Sequence, residues 1–149
     1  LRWGTCWGAR MDRIGPATRS RLMSRIRSVD TSSERALRRE LRARGFGYRK
    51  NVRGLLGRPD IAFPGERIAV FVDGCFWHGC PRCYRELASN TAFWRRKVSA
   101  NRERDGRQNH ELAAMGWTVL KYWEHESLVF VADEIEDVVI TRRRRAQHG

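Results

Sequence analysis

The chain has 149 residues, 30 of them Lys or Arg against 17 Asp or Glu, for a formal charge of +13 at pH 7. One domain around a single hydrophobic core is the expectation at this length, and two full cores are excluded. The charge calls for a polyanionic partner, with arginine suited to phosphate, although a GC-rich genome raises arginine by itself; no apolar run approaches the roughly 20 residues of a membrane span.

Residues 1–10 lack the apolar core of a secretory signal, so a cytoplasmic, intracellular location is expected, where clustered cysteines favour metal over disulfides. Met11 reads as the true start, residues 1–10 as a disordered extension or upstream read-through, and residues 11–149 as one domain with a basic tail. Residues 17–28 predict a short basic helix with Leu22, Met23 and Ile26 on its apolar stripe. Thr31-Ser32-Ser33-Glu34 has capping-box spacing and opens a helix through Leu37 and Leu41 that ends with Gly45 at C′. Phe46 and Tyr48 alternate as a strand start, and Pro59 to Phe63 and Ile68 to Val72 predict an antiparallel hairpin turned by Pro64-Gly65.

Phe93, Trp94, Lys97, Val98, Asn101, Leu112 and Met115 mark the stripe of a long amphipathic helix from Thr91 towards Gly116. That helix is a natural crossover to a strand at Trp117 to Trp123. Leu128, Val131, Ile135, Val138 and Val139 fit a last helix ending in Arg142 to Arg145. The order predicts an α/β sandwich around a small mixed sheet.

Chemistry concentrates in residues 73–83. Cys80 and Cys83 have the spacing that grips a tetrahedral zinc, and Cys75 is near enough to be a third ligand. Two arrangements complete the set: His78 locally, or His125 with His78 left as a general acid or base. Asp60 begins one strand and Asp73 ends the next, so a tight hairpin brings both near one sheet edge, where carboxylates on a basic surface suit magnesium and phosphodiester cleavage. Turn capping or a salt bridge is the plainer use of either aspartate. Glu34 fits its capping box first, and a metal-bound water or a histidine second. Phe76 and Trp77, held in a rigid loop of a basic chain, suit base stacking. Met23 and Ile26 fit either a core or insertion into DNA, Trp94 either core or stacking, and Asn101 to Asp105 either phosphate contacts or a solvated ion-paired face.

Gly57-Arg58-Pro59-Asp60, Asp73 to His78, Phe93-Trp94, Asn101 to Asp105 and Gly116-Trp117 through Trp123-Glu124 occur in an order that resembles the very-short-patch-repair (Vsr) DNA mismatch endonucleases, over most of residues 12–127. The resemblance implies a restriction-endonuclease-like core of the PD-(D/E)xK type. It implies nicking of one strand of double-stranded DNA 5′ to the thymine of a T:G mismatch, the product of 5-methylcytosine deamination. Residue by residue, it implies Asp60 and the Val72 carbonyl as ligands of a catalytic Mg2+, His78 as catalytic histidine and Glu34 as catalytic glutamate. Cys75, Cys80, Cys83 and His125 become a structural Zn2+ set, His125 standing where a well-studied member has cysteine. Phe76 and Trp77 become a wedge beside the mismatch, and Met23 and Ile26 enter from the other groove. A monomeric bacterial enzyme is implied, with functional links to a DNA cytosine-5 methyltransferase and mismatch-repair proteins. Two positions depart from the pattern: Asp73 replaces a second active-site histidine, leaving metal binding, water orientation or structure as its role, and Cys75 occupies the place of the PD-(D/E)xK lysine. Two rival readings are a nuclease of the same fold for other DNA structures or modified DNA, and a zinc-containing DNA-binding module without catalysis.

Overall fold

The computed structural model describes residues 30–75, 77–84 and 91–149, together with Gly15, Ala17 and Thr18. The expected extension at residues 1–10 and most of the expected helix at residues 17–28, including Met23 and Ile26, lie outside the described residues, as does Phe76.

Helix α1, Ser32–Ala43, starts and stops as its sequence dictates. The Thr31 hydroxyl accepts the Glu34 N–H at 3.3 Å, and the Glu34 carboxylate accepts the N–H of Asp30, one residue before the cap, at 2.8 Å. At the other end Gly45 has φ +87°, and the Phe46 N–H to Leu41 and Gly45 N–H to Arg42 hydrogen bonds close a Schellman motif. Strand β1, Arg49–Lys50, pairs antiparallel with β2, Ile61–Phe63, which pairs antiparallel with β3, Ile68–Asp73. Helix α2, Thr91–Ala114, crosses over to β4, Thr118–Trp123, parallel to β3 in the register Ile68 to Thr118 and Asp73 to Trp123. Helix α3, Leu128–Gln147, ends the chain's regular structure. The sheet order is β1-β2-β3-β4. This is the mixed α/β arrangement expected from the sequence, except that Phe46 and Tyr48, expected to start a strand, lie before β1, which begins at Arg49.

Alternation in β3 sorts the two faces. Ile68, Val70 and Val72 join Leu37 and Leu41 of α1 and Val131, Ile135 and Val139 of α3 in the core. Phe71 turns the other way, towards Gly57 and Gln108 of α2. β3 is therefore covered on both faces, which explains its continuous apolar run. α2 departs from its expected stripe: Val98 and Leu112 are buried, whereas Phe93 and Met115 are about half exposed, 51% and 53%. Met115 follows the last helical residue, Ala114, and Phe93 sets its ring against Trp94 at 5.0 Å near the start of the helix. The arginine run of residues 142–145 is helical and tied to the body, with Arg142 bonded to the Thr118 hydroxyl and Arg143 to Glu66 at 2.6 Å. Among the described residues no helix is long and apolar enough to cross a membrane.

Candidate active site and metal centre

Parallel strands β3 and β4 end at the same level, and the residues that follow them build the metal centre. Cys75 leaves β3 and His125 leaves β4; backbone hydrogen bonds from Cys80 to Cys75 and from Tyr84 to Cys80 coil the loop so that Cys80 and Cys83 reach the same point. The ligating atoms of Cys75, Cys80, Cys83 and His125 all lie within 4.8 Å of one another. The three Sγ atoms stand 3.2, 3.7 and 3.4 Å from His125 Nδ1. A tetrahedron with zinc–sulfur and zinc–nitrogen bonds of ordinary length has such edges at about 3.6 Å, so the donor set fits zinc in kind and in size. Burial, with the Glu124 carboxylate and Cys80 beside it, pushes the Cys75 thiol well above its usual range, an arrangement that leaves the thiolate in need of a cation. Among the described residues Cys75 and Cys80 are free thiols.

His78 does not join this cluster, so the local arrangement favoured by spacing gives way to His125. The His78 N–H bonds to the Gly74 carbonyl, and its Nδ1 pairs with Asp105 of α2. Gly79 permits that placement: its φ is +65°, and a Cβ there would lie 2.8 Å from Val98 of α2. Asp73, His78 and Asp105 form a second convergence, their ligating atoms also within 4.8 Å of one another. They line a cavity of about 280 Å³ with Arg102 of α2 and Lys121 and Trp123 of β4. Lys121 Nζ lies 2.9 Å from Asp73 Oδ2.

Asp60 and Glu34 approach from the β2 and α1 side. Asp60 Oδ2 accepts the Val72 N–H at 2.7 Å. In an extended strand the N–H and C=O of one residue project to the same side, so the Val72 carbonyl faces the side from which Asp60 approaches. Burial pushes the Asp60 carboxyl up to about 7, helped by the charges of Glu34 and Asp73 and opposed by the Val72 hydrogen bond. Glu34 is 1% exposed and is also raised by burial, against the N–H groups of Asp30 and Thr31. Its capping role is therefore real, and its charge nevertheless reaches Asp60. Asp73 is the link between the two halves: Asp60 feels its charge from one side, and it shares the cavity with His78 on the other.

Trp77 leads out of this loop to an aromatic cluster. Its ring meets Trp94 edge to face at 5.9 Å, Trp94 meets Phe93 at 5.0 Å, and Asn101 Nδ2 donates to the Trp77 carbonyl at 2.9 Å. Sequence reasoning passed over Lys121, and left Asn101 to Asp105 between phosphate contacts and an ion-paired face, without the pairing of Asp105 with His78. Asn101 and Asp105, four apart on one helix face, were the available signal.

Comparison with known proteins places this mixed α/β chain among strand-nicking DNA endonucleases. A family model described as DNA mismatch endonuclease Vsr matches residues 11–85. The type II nicking enzyme V.NaeI of Lentzea aerocolonigenes is 42% identical over 138 residues, covering 89% of this chain and 81% of that protein. The type II nicking enzyme V.XorIIP of Xanthomonas oryzae pv. oryzae is 42% identical over 116 residues, 77% of this chain and 85% of its own. The DNA mismatch endonuclease Vsr of Escherichia coli K12 is 40% identical over 110 residues, 72% and 70%. The chain belongs to the Vsr DNA mismatch endonuclease family.

Proposed function

We propose that this protein is a magnesium-dependent endonuclease that nicks one strand of duplex DNA 5′ to the thymine of a T:G mismatch. Residues 11–149 work as one unit on a restriction-endonuclease-like core. The observation that carries this reading is the convergence, at one end of β3, of carboxylates with a histidine held by a second carboxylate. The relatives described as nicking enzymes and as a mismatch endonuclease supply the substrate class.

The donor chemistry fits a hard cation. Asp60 is crowded by the charges of Glu34 and Asp73, an arrangement that favours either a proton or a metal ion. Asp60 and the Val72 carbonyl would hold magnesium, which when bound offsets the negative charge that develops on the phosphate. With Nδ1 donated to Asp105, His78 keeps Nε2 free to take a proton from the attacking water. Glu34 holds the start of α1 against Asp60 through its bonds to Asp30 and Thr31. The zinc-type cluster fixes the loop that carries His78 and Trp77, and Phe76, Trp77 and Trp94 supply the wedge. A mismatched pair costs less to unstack than a matched one, so insertion of aromatics selects it by deformation energy.

The deciding experiment incubates the reduced protein with a T:G duplex, its T:A control and a mismatch panel, with and without magnesium. Strand-specific nicking 5′ to the mismatched thymine, dependent on magnesium, is the expected result. Equal cutting of matched DNA would move the substrate to other DNA structures, and binding without cutting would leave a zinc-containing DNA-binding module.

A further inference from the structure

The chemistry proposed above gives no task to the cation that faces it. Lys121 stands in the middle of β4, and its Nζ is 2.9 Å from Asp73 Oδ2. Asp73 carries most of its side chain inside, at 11% exposure, while that of Lys121 is 32% exposed, so a buried acceptor anchors an accessible ammonium. Among the described residues Asp73 is the partner of that ammonium, and an ammonium has three N–H donors. Donors therefore remain for a ligand in the cavity that Lys121 shares with Asp73, His78 and Asp105. Asp73 and His78 have ligating atoms within 4.8 Å of each other, which sets the ammonium one carboxylate away from the imidazole.

A phosphate entering this cavity meets the carboxylates of Asp73 and Asp105 and needs opposing charge at the wall. Arg102 and Lys121 are the cations of that wall. Arg102 rises from the outer, exposed side of α2, whereas Lys121 is fixed by its carboxylate before any ligand arrives, and a donor already held in place loses less freedom on binding.

We propose that Lys121 is a phosphate-contacting residue of this active site, its ammonium anchored on Asp73 and donating to a non-bridging oxygen of the phosphodiester that is cut. This rests on the endonuclease reading above. Asp73 then serves as the anchor of a cation, which gives the departure at that position a physical role. The ammonium arrives from β4, whereas Cys75, in the place of the missing pattern lysine, goes to the metal cluster.

The test uses the full, reduced protein with Lys121→Met and Lys121→Arg. Two quantities are read: the single-turnover nicking rate on a T:G duplex at saturating enzyme and magnesium, and the slope of log affinity against log salt for the same duplex without magnesium. Lys121→Met is expected to slow nicking at least about 50-fold and to make the salt slope shallower by about one unit, the signature of one lost phosphate contact. Lys121→Arg is expected to recover most of both, which an ion pair of purely structural use would not require. An unchanged rate overturns the proposal, and so does an unchanged slope. A wild-type protein that binds the duplex without nicking it defeats the endonuclease reading instead; the phosphate contact is then decided by the slope alone.

Discussion

Asp60 sits where a carboxylate is least comfortable without a cation: burial and the charges of Glu34 and Asp73 act on it together and bring it to about 7. Under the proposed function a magnesium ion would compete with the proton for that carboxylate, so nicking by the wild type is expected to rise with pH through neutrality. Stability of the magnesium-free protein runs the other way. The folded chain keeps a proton on Asp60 that the unfolded chain has released above about pH 4, so the stabilisation is complete below that pH and is lost as pH rises through 7. Asp60→Asn retains an oxygen for the Val72 N–H and removes the charge. It should cut the nicking rate by about 10³-fold, on the order of 4 kcal/mol, while DNA affinity stays within a few fold. Thermal unfolding of the magnesium-free proteins at pH 5 and pH 8 should show a fall for wild type that Asp60→Asn flattens. Equal falls would mean that Asp60 does not titrate as its surroundings require.

The loop between β3 and α2 is the element on which metal, histidine and aromatic ring all depend. Cys80→Ser removes one of the four ligands brought together by the fold, and zinc per chain, measured on reduced protein, should drop from near one to a small fraction. Retention of the metal would show that the cluster is not its seat. Trp77 packs edge to face on Trp94 and remains partly exposed. Trp77→Ala should weaken binding to a T:G duplex by about 1–3 kcal/mol, the usual worth of a stacked base, and narrow the preference over T:A; equal losses on both duplexes would reduce Trp77 to packing. Elements with local rules were legible in the sequence. The cap at Thr31 and Glu34, the glycine stop at Gly45, the hairpin at Pro64 and the crossover to β4 follow from spacing alone. The pairing of His78 with Asp105 and of Asp73 with Lys121 was not legible, because the partners lie on different elements and meet only through the tertiary fold. The exposure of Phe93 and Met115 was not legible either: periodicity reports which side of a helix is apolar and says nothing about where the helix stops, and Met115 lies past its last residue.

At the scale of the molecule, charge is the term that no single pair consumes. Arg44 is held by Glu40, Asp133 and Glu136, and Arg143 by Glu66, but the balance of 30 basic to 17 acidic residues leaves an excess suited to a polyanion. Affinity for duplex DNA should fall by at least about 10³-fold between roughly 50 and 200 mM salt, as expected for six or more phosphate contacts. A shallow dependence measured by fluorescence anisotropy would mean that most of the arginines face solvent when DNA is bound. Asp60, Asp73 and His78 were readable one by one as candidates, whereas the separation of the thiols from the carboxylates around His78, and the place of Lys121 beside Asp73, required the strands to be set side by side.

The alignment of β3 with β4 carries one more consequence. Ile68 stands opposite Thr118 and Asp73 opposite Trp123, which delivers Cys75 and His125 to a common height. A slip of one residue between these strands would displace the pair by about 3.3 Å and turn Lys121 to the opposite face. Such a misfolded chain would lose the convergence of its thiols and its ammonium at once, so on the proposed zinc reading metal uptake during refolding would act as a built-in vernier for correct strand pairing.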